Sequence, residues 1–260
     1  MKKGKKLYEG KAKIIFATDD KNYVIQHFKD DATAFNNQKK ANIEGKGILN
    51  NRISEHILSS LKDVGIENHL VKRLNMREQL IDLVDIIPIE FVVRNIVTGS
   101  LTKRLGIEDG TILNKPLIEF FYKNDQLGDP LVTKDHIDAF GWASLSELNL
   151  ITGQCLRIND FLQGMFRGIN IKLVDFKLEF GKRKIDEKII LVDEISPDTC
   201  RLWDSNTDKK LDKDRFRKDL GDLIEAYQEV ARRLGILHEQ SNNVRPIKFP
   251  KPTAVKIKKK

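Results

Sequence analysis

The chain has few cysteines and no long apolar run. Its 260 residues include only Cys155 and Cys200, with no CxxC pair and no neighbouring histidine, which argues against a disulfide framework and a zinc site. No stretch approaches the roughly 20 apolar residues of a membrane helix, and no apolar run follows the basic start at Met1–Lys6 as it would in a signal peptide. We therefore expect a cytoplasmic protein with no membrane partner and two reduced, structural cysteines.

The common nucleotide-binding motifs are also absent. The chain has no G-x-x-x-x-G-K-[ST] loop, and it lacks the H-R-D and D-F-G motifs of protein kinases. A nucleotide site in this chain therefore has to be built from other residues.

The surplus of basic residues lies mostly at the C-terminal end. The formal net charge is +8, but residues 236–260 carry six lysines and one arginine against one glutamate, which leaves about +2 for the first 235 residues. Three of the seven prolines, Pro246, Pro250 and Pro252, lie in the same segment. We expect residues 236–260 to form an extended, disordered basic tail, and the nearly balanced remainder predicts no nucleic-acid partner.

The N-terminal segment predicts an antiparallel sheet with a glycine turn. Leu7–Ala17 reads as two short strands on either side of Gly10, and Tyr23–Phe28 is the next strand. The glycine allows backbone N–H groups to approach a phosphate closely, and Lys11 and Lys13 lie on one side of the strand. This turn is a candidate phosphate site, and the alternative is that its lysines are simply solvated.

A second candidate anion site lies where an apolar strand ends. The predicted strand Ile86–Asn95 delivers Arg94 to its end, next to a glycine turn that carries Ser100. An arginine there can bind phosphate or carboxylate through two parallel hydrogen bonds, with the serine hydroxyl as an added donor. The alternative is an exposed Arg94 that pairs with Glu90 on the same face of the strand.

The strand with the most informative pattern contains Asp175, Lys177 and Glu179. These residues alternate with apolar ones, so they share one face, and a second strand, Ile189–Ile195, follows after a polar turn. If Glu179 pairs with Asp193, two carboxylates and a lysine converge, which suits Mg²⁺ and a phosphate oxygen. The alternative is a hairpin whose charges only pair with each other in solvent.

The other segments predict conventional elements. Asp30–Gly47 is expected to be a loop, either one that covers an active site or a plain surface loop, and Thr111–Val132 is expected to be rich in loops without chemistry. Arg215 and Arg217 lie in the first turn of the last predicted helix, where the helix dipole disfavours cations, so they are either compensated by an anionic partner or ordinary surface residues. The remaining predicted elements are strands at 68–74 and 79–83, and helices at 48–64, at 144–149, from Thr152 to 169, and from Asp212 or Asp214 to Gly235.

Taken together, these segments resemble the phosphoribosylaminoimidazole-succinocarboxamide synthase (SAICAR synthetase) family. The most specific matches are PIEFVVRNIVTGS at Pro88–Ser100 and LVDFKLEFG at Leu173–Gly181. LYEGKAK, ILNNRI, TGSLTKRLGI, DEISPDTCRLWD and DKDRFR also look like family segments in the expected order, so the resemblance covers roughly residues 7–235. The polar hairpin turn KRKIDEK and the loop Phe35-Asn36-Asn37 depart from the pattern, so their contacts are not transferred.

The resemblance implies an α+β fold and an ATP-dependent ligase. The family joins the carboxylate of a carboxyaminoimidazole ribonucleotide (CAIR) to the amine of L-aspartate, using ATP and Mg²⁺ and passing through an acyl phosphate. It also implies a homo-oligomer, an N-terminal sheet domain of kinase-like appearance at residues 1–84 and a larger C-terminal domain at 85–235, with the nucleotide between them.

The resemblance also assigns roles to thirteen residues. By resemblance, Glu179 and Asp193 hold Mg²⁺; Gly10, Lys11, Ala12, Lys13 and Lys177 contact ATP phosphates; Arg94, Ser100 and Arg201 bind the nucleotide phosphate; and Asp175, Asp198 and Arg217 order CAIR or aspartate, with Lys177, Asp175 and Asp198 as the catalytic candidates. The alternative function is a related ATP-dependent kinase or ligase that acts on another small carboxylate.

Overall fold

The predicted N-terminal strands form a five-stranded antiparallel sheet. The computed structural model describes residues 1–34 and 39–237. Neighbouring strands in the sheet follow the order β1-β2-β3-β7-β6. The strands are β1 Lys3–Glu9, β2 Lys13–Thr18, β3 Tyr23–Phe28, β6 Leu70–Arg73 and β7 Glu78–Asp82. The glycine turn at Gly10 joins β1 to β2, as the sequence predicts.

The segment that we expected to be a loop contains a small hairpin instead. Its strands are β4 Asp31–Ala34 and β5 Lys39–Asn42, and helix α1 follows at Lys46–Asp63. The helix begins two residues before the predicted start, because Gly45 adopts φ 85° directly before it. The loop Phe35-Asn36-Asn37 lies outside the described residues.

A second antiparallel sheet carries the charged strand at its centre. Its order is β10-β9-β8-β11-β12, and β13 also pairs with β11. The strands are β8 Val84–Ile96, β9 Ile112–Tyr122, β10 Leu131–Val132, β11 Ile171–Arg183, β12 Ile189–Val192 and β13 Cys200–Asp204. Because β12 and β13 pair with different parts of β11, the segment that joins them, residues 193–199, crosses beside the middle of β11.

Strand β9 replaces part of the loop-rich region that Pro116 and Pro130 led us to expect. Proline cannot donate a hydrogen bond to a neighbouring strand, so it normally argues against a central strand. Here β10 pairs only with Phe120 and Phe121 of β9, and the pairing with β8 is interrupted between Leu117 and Ile112. The missing N–H of Pro116 therefore falls where the ladder is already broken.

The two helices expected before β11 are one helix, α4, at Leu145–Arg167. Ser144 and Glu147 form a reciprocal capping box at its start, so Thr152 lies inside the helix and not at its N-cap. Cys155 and Ile158 belong to its buried face, which packs against β11. The shorter helices are α2 Ser100–Leu105, α3 Lys134–Ala139 and a 3₁₀ turn at Asp125–Leu127.

The single long helix expected at the end is also wrong. The chain forms a short helix α5, Asp214–Arg217, and a separate helix α6, Leu223–Arg233. The residues between them include Gly221 and Asp222 at φ 69° and 48°, which a continuous helix does not allow. Buried Arg215 donates to the carbonyl oxygens of Gly221 at 2.6 Å and Leu220 at 2.8 Å. The Asp222 carboxylate also lies 3.6 Å from its guanidinium, so groups of the protein itself compensate the charge of Arg215.

One apolar core joins the helices to the sheets. It contains the inner faces of α1, α4 and α6 together with alternate residues of β8 and β11. Ile236 and Leu237 pack against the same core after α6 ends, and Arg52 donates to the carbonyl oxygen of Ile236 at 2.7 Å. None of the helices among residues 1–34 and 39–237 is long and apolar enough to cross a membrane. The division of the chain at residues 84 and 85 stays a prediction.

The contacts of Ile236 and Leu237 predict where the dispensable tail begins. Removing residues 238–260 should leave the melting temperature unchanged, whereas removing 236–260 should cost roughly 1 to 2 kcal/mol of apolar burial. For a chain of this size that loss lowers Tm by several degrees. Thermal unfolding of both truncated proteins beside the full chain measures the difference, and equal Tm values for the two truncations would contradict the prediction.

Candidate functional site

All thirteen candidate residues from the sequence line one cleft of about 720 Å³. Its walls come from the glycine turn before β2, the ends of β8 and β11, the segment between β12 and β13, and helix α5. The residues that form it are far apart in the chain, so only the tertiary fold brings them together. Their individual roles stay predictions, and the geometry below shows what each group contacts.

The predicted pair of carboxylates meets at one end of the cleft, through a different register from the expected one. Glu179 pairs with Val192 and not with Asp193. Asp193 lies one residue beyond β12 and adopts φ 65°, a left-handed conformation that alternation along a strand does not reveal. Its carboxylate still reaches Lys177, which also contacts Glu179. The turn at Asp193 thus restores the convergence that the shifted register would otherwise remove.

Three lysines surround these carboxylates. Lys177 Nζ contacts Glu179 and lies 3.0 Å from Glu90 Oε1 and 3.4 Å from Asp193 Oδ2. Lys13 Nζ contacts Asp193 and lies 2.9 Å from Glu194 Oε1. On the other side, Lys123 Nζ lies 2.5 Å from Glu179 Oε2. Cations from β2, β11 and the end of β9 therefore meet the acidic residues of β8, β11 and the segment after β12.

The lysines keep the two carboxylates ionised. Burial raises the pKa of Glu179, but the ammonium groups of Lys177 and Lys123 outweigh burial and hold the pKa below its ordinary value. Burial opposes ionisation of Asp193 in the same way, and Lys13 and Lys177 lower its pKa far below the usual range. In turn, burial lowers the pKa of Lys177, yet Glu179 and Asp193 raise that pKa well above its ordinary value. Glu179, Asp193 and Lys177 are therefore charged at neutral pH.

The paired carboxylates fit Mg²⁺, which prefers oxygen ligands and commonly takes one or two carboxylates plus substrate phosphates and water. Glu179 and Asp193 supply two such anions within reach of one ammonium group. Among the residues that the structure describes, no group of three or more His, Cys, Asp or Glu is arranged for a metal ion. A cation here would thus need phosphate or water oxygens to complete its coordination.

The second predicted anion site surrounds Arg94, which is only 3% exposed. Its guanidinium donates to Glu119 Oε2 at 2.6 Å, to Asp175 Oδ2 at 2.7 Å and to Ser100 Oγ at 3.1 Å. The alternative pairing with Glu90 is wrong, because Glu90 pairs with Lys177. Arg94 is thus fixed by three partners at the cleft wall, which gives it one defined orientation.

Arg201 lies beside Arg94 and shares Asp175 with it. Arg201 donates to Asp175 Oδ2 at 2.8 Å and to the Asp214 carboxylate at 3.2 Å. Gly99 lies against the guanidinium at φ 61°, and a Cβ atom at that position would stand 2.8 Å from a nitrogen of Arg201. The glycine of the predicted turn is therefore required both by backbone conformation and by the close approach of Arg201.

Asp198 is buried between two helices that are distant in sequence. It accepts from Lys46 at the start of α1, at 2.6 Å, and from the Tyr227 hydroxyl of α6, at 2.5 Å. Burial raises the pKa of Asp198, but Lys213 and Lys46 lower it far below the usual range. Both oxygens of Asp198 are occupied by protein donors, so its contacts favour a positioning role over the catalytic role predicted for it.

The residues of the cleft and its supports that the sequence analysis missed include Glu119, Lys123, Lys46 and Lys213. Glu119 lies in β9 and Lys123 follows directly after it, in the segment that its prolines led us to expect as a loop. The alternation of Ile118 and Phe120 around Glu119 is the signal that could have revealed a strand there. Lys46 and Lys213 lie just before predicted helices, and no local pattern distinguishes them from solvated lysines.

Comparison with known proteins identifies the family. A family model described as SAICAR synthetase matches residues 6–234. The chain belongs to the SAICAR synthetase family. The phosphoribosylaminoimidazole-succinocarboxamide synthase of Pelagibacter ubique is 75% identical over 244 residues, which are 93% of this chain and 94% of that protein.

Solved structures of the SAICAR synthetase family share the fold. A crystal structure of phosphoribosylaminoimidazole-succinocarboxamide synthase from Ehrlichia chaffeensis is 54% identical, has a TM-score of 0.88, and covers 90% of this chain and all of that one. A SAICAR synthetase in complex with ADP is 47% identical, with a TM-score of 0.85, and covers 87% of this chain and 96% of that one. The predicted family and α+β fold are confirmed.

Proposed function

We propose that this chain carries out the ligase reaction of its family: it joins the carboxylate of CAIR to L-aspartate and converts ATP to ADP and phosphate, in de novo purine biosynthesis. The observation that carries the proposal is one cleft with two kinds of anion site, the lysine and carboxylate cluster around Lys177 and the arginine cluster around Arg94. A kinase or ligase for another small carboxylate would need the first cluster but not the second.

The lysine and carboxylate cluster is the proposed end for ATP. Gly10 and Ala12 bring backbone groups to the cleft, and Lys11, Lys13 and Lys177 bring ammonium groups that suit phosphate oxygens. Glu179 and Asp193 would hold Mg²⁺, which when bound neutralises phosphate charge during transfer. Ion pairs with Glu179 and Asp193 hold Lys13 and Lys177 in place, and Lys11 pairs with Asp125 at 2.7 Å.

The arginine cluster is the proposed end for the phosphate of CAIR. Arg94, Ser100 and Arg201 present donors at the opposite part of the cleft, and Asp175 orients both guanidinium groups. A guanidinium matches phosphate geometry through parallel hydrogen bonds. Fixing this end of CAIR places its carboxylate toward the ATP end, and such positioning is the main source of catalysis in phosphoryl transfer.

The proposed chemistry has two steps. An oxygen of the CAIR carboxylate attacks the γ-phosphorus of ATP, the bond to the β-phosphate oxygen breaks, and ADP leaves. The neutral amine of L-aspartate then attacks the carbonyl carbon of the acyl phosphate, loses a proton and expels phosphate. The first step is needed because a carboxylate is a poor electrophile, whereas an acyl phosphate has a good leaving group.

The residues of the cleft favour direct transfer from ATP to CAIR over a phosphorylated protein. Cys200 lines the cleft but is only 3% exposed, and burial raises the pKa of its thiol, so it is not a thiolate at neutral pH. Glu179 and Asp193 are paired with lysines. No histidine lines the cleft among the residues that the structure describes.

The proposed function agrees with the predicted division of the chain into two domains. The glycine turn comes from the predicted N-terminal domain, residues 1–84, and the arginine cluster from the predicted C-terminal domain, residues 85–235, which supports a nucleotide site between them. A homo-oligomeric, cytoplasmic enzyme without nucleic-acid partners stays a prediction of the sequence.

The proposed function is tested by an ADP-release assay. We expect the purified protein to release ADP at the full rate only when ATP, Mg²⁺, CAIR and L-aspartate are all present, with SAICAR as the product identified by mass spectrometry. Other small carboxylates in place of CAIR serve as controls, because they lack the phosphate that the arginine cluster would bind. Faster turnover with one of those carboxylates would favour the alternative kinase or ligase.

The metal assignment predicts the effect of two near-isosteric variants. Glu179→Gln and Asp193→Asn should each lower kcat/KM by about 100-fold or more, because each removes an anionic oxygen that Mg²⁺ would need. Glu225→Gln, on the exposed face of α6, is the matched control and should keep normal activity. Rates are measured across a Mg²⁺ titration, with circular dichroism to show that each variant folds. Near-normal activity of either site variant at ordinary Mg²⁺ would refute the assignment.

The order of bond making predicts the fate of a labelled oxygen. When CAIR carries ¹⁸O in its carboxylate, one labelled oxygen should appear in the released phosphate, because the amine expels phosphate together with the bridging oxygen. As a control, unlabelled CAIR in ¹⁸O water should give unlabelled phosphate. Mass spectrometry of the phosphate reads both results. Unlabelled phosphate from labelled CAIR, or a phosphorylated protein that completes the reaction, would overturn the direct mechanism.

A further inference from the structure

Lys213 is a cation of the cleft that the assignments above do not use. It lies directly before α5, its side chain is 13% exposed, and it lines the cleft. Its backbone N–H donates to the Pro197 carbonyl oxygen at 3.0 Å, which fixes the residue beside the segment between β12 and β13. Its ammonium group makes no hydrogen bond to any residue within 1–34 and 39–237. The backbone of Lys213 is therefore held in position, while the residue lines the cleft.

The carboxylate nearest to Lys213 is already committed to other groups. Lys213 Nζ lies 3.8 Å from Asp198 Oδ2, too far for a hydrogen bond, and Asp198 accepts from Lys46 and Tyr227 at 2.6 and 2.5 Å. One negative charge therefore faces two ammonium groups. Burial lowers the pKa of Lys213, and Asp198 only partly offsets this because Lys46 and Arg217 lower the pKa further.

Arg217 adds a second cation on the same side of α5. It lies four residues after Lys213, and side chains with this spacing on a helix are neighbours. Its partner Asp214, at 2.6 Å, also lies 3.2 Å from Arg201 and 3.4 Å from Lys218. Here one carboxylate serves three cations. The α5 wall of the cleft therefore carries more positive than negative charge, and it can accept an anion.

We propose that Lys213, together with Arg217, receives a carboxylate of L-aspartate. The inference rests on the proposed function, which requires three substrates in one cleft. ATP and the phosphate of CAIR account for the lysine and arginine clusters, and the carboxylate of CAIR reacts at the ATP end, so the two carboxylates of L-aspartate are the substrate anions that still need partners. Of the cations that line the cleft in the described part of the chain, Lys213 and Arg217 belong to the α5 segment, and neither is a member of the lysine cluster or of the arginine cluster. Charged hydrogen bonds to both would orient the amine of aspartate toward the acyl phosphate.

The proposal is tested by the variant Lys213→Met, which keeps the length of the side chain and removes its charge. We expect KM for L-aspartate to rise by about 10- to 100-fold, the usual loss for one charged hydrogen bond, while KM for ATP and for CAIR stays unchanged. Lys213→Arg, which restores the charge, should recover part of the affinity. The matched control is Lys209→Met, at an exposed position near the end of β13, which should behave like the wild type.

A second measurement distinguishes binding from a structural role. Succinate has the two carboxylates of aspartate but no amine, so its inhibition constant should rise in Lys213→Met by the same factor as KM for L-aspartate. If methionine is not tolerated at this partly buried position, Lys213→Gln is assayed in the same way. A selective rise in KM for CAIR or ATP, or normal KM values throughout, would overturn the proposal. Failure of the proposed function itself gives a different result, since the wild type would then release no ADP with CAIR and L-aspartate.

Discussion

The structure depends on the need to neutralise charges that are buried along β11. Asp175 and Glu179 are 4% and 3% exposed, and a buried carboxylate without a partner would be strongly destabilising. Their partners come from β8, β11, β13 and the end of β9, so the charged face of one strand requires several other elements to be in place. The cleft exists because this neutralisation needs cations from every side, and the same cations are the groups that suit anionic substrates.

This arrangement holds the donor groups of the cleft in defined positions. Arg94 is fixed by three partners, and Lys177 contacts three carboxylates. An incoming phosphate therefore meets donors that already have defined positions, and little side-chain entropy remains to be lost on binding. Under the proposed function, substrate phosphates would compete with the internal carboxylates for these donors. Mg²⁺ would relieve that competition, since it attracts the same carboxylates that hold the lysines.

The sequence predicted the elements whose signals are local. Alternation identified β11, and glycine beside lysine identified the turn before β2. The register at Asp193 was off by one residue, because its left-handed backbone leaves no trace in alternation. Strand β9 was missed because proline normally argues against a strand. The sequence does not show that the hydrogen-bond ladder between β8 and β9 is interrupted at Pro116. The S-x-x-E capping box at Ser144 and Glu147 marks the start of α4, where the first of two helices was predicted, but it does not show that the helix continues through Thr152.

The residues of the site show more clearly that local sequence patterns do not predict tertiary contacts. Motif resemblance gathered thirteen residues that line the cleft, but it did not reveal the residues that hold them in position. Lys46, Glu119 and Tyr227 act on the site from elements far away in the chain, and each is an ordinary residue in its local context. Such contacts depend on tertiary packing, which alternation and helical spacing do not encode. Fold and chemistry were therefore more predictable than the supports of the site.

The bond between Tyr227 and Asp198 has a consequence for how the protein matures. Tyr227 belongs to α6, the last helix of the described chain, and it holds a residue of the cleft wall that was synthesised well before it. During synthesis the earlier elements can fold first, but Asp198 then lacks one of its two donors. The wall of the cleft at Asp198 is therefore completed only when α6 has docked, after the elements that precede it in the chain have been made.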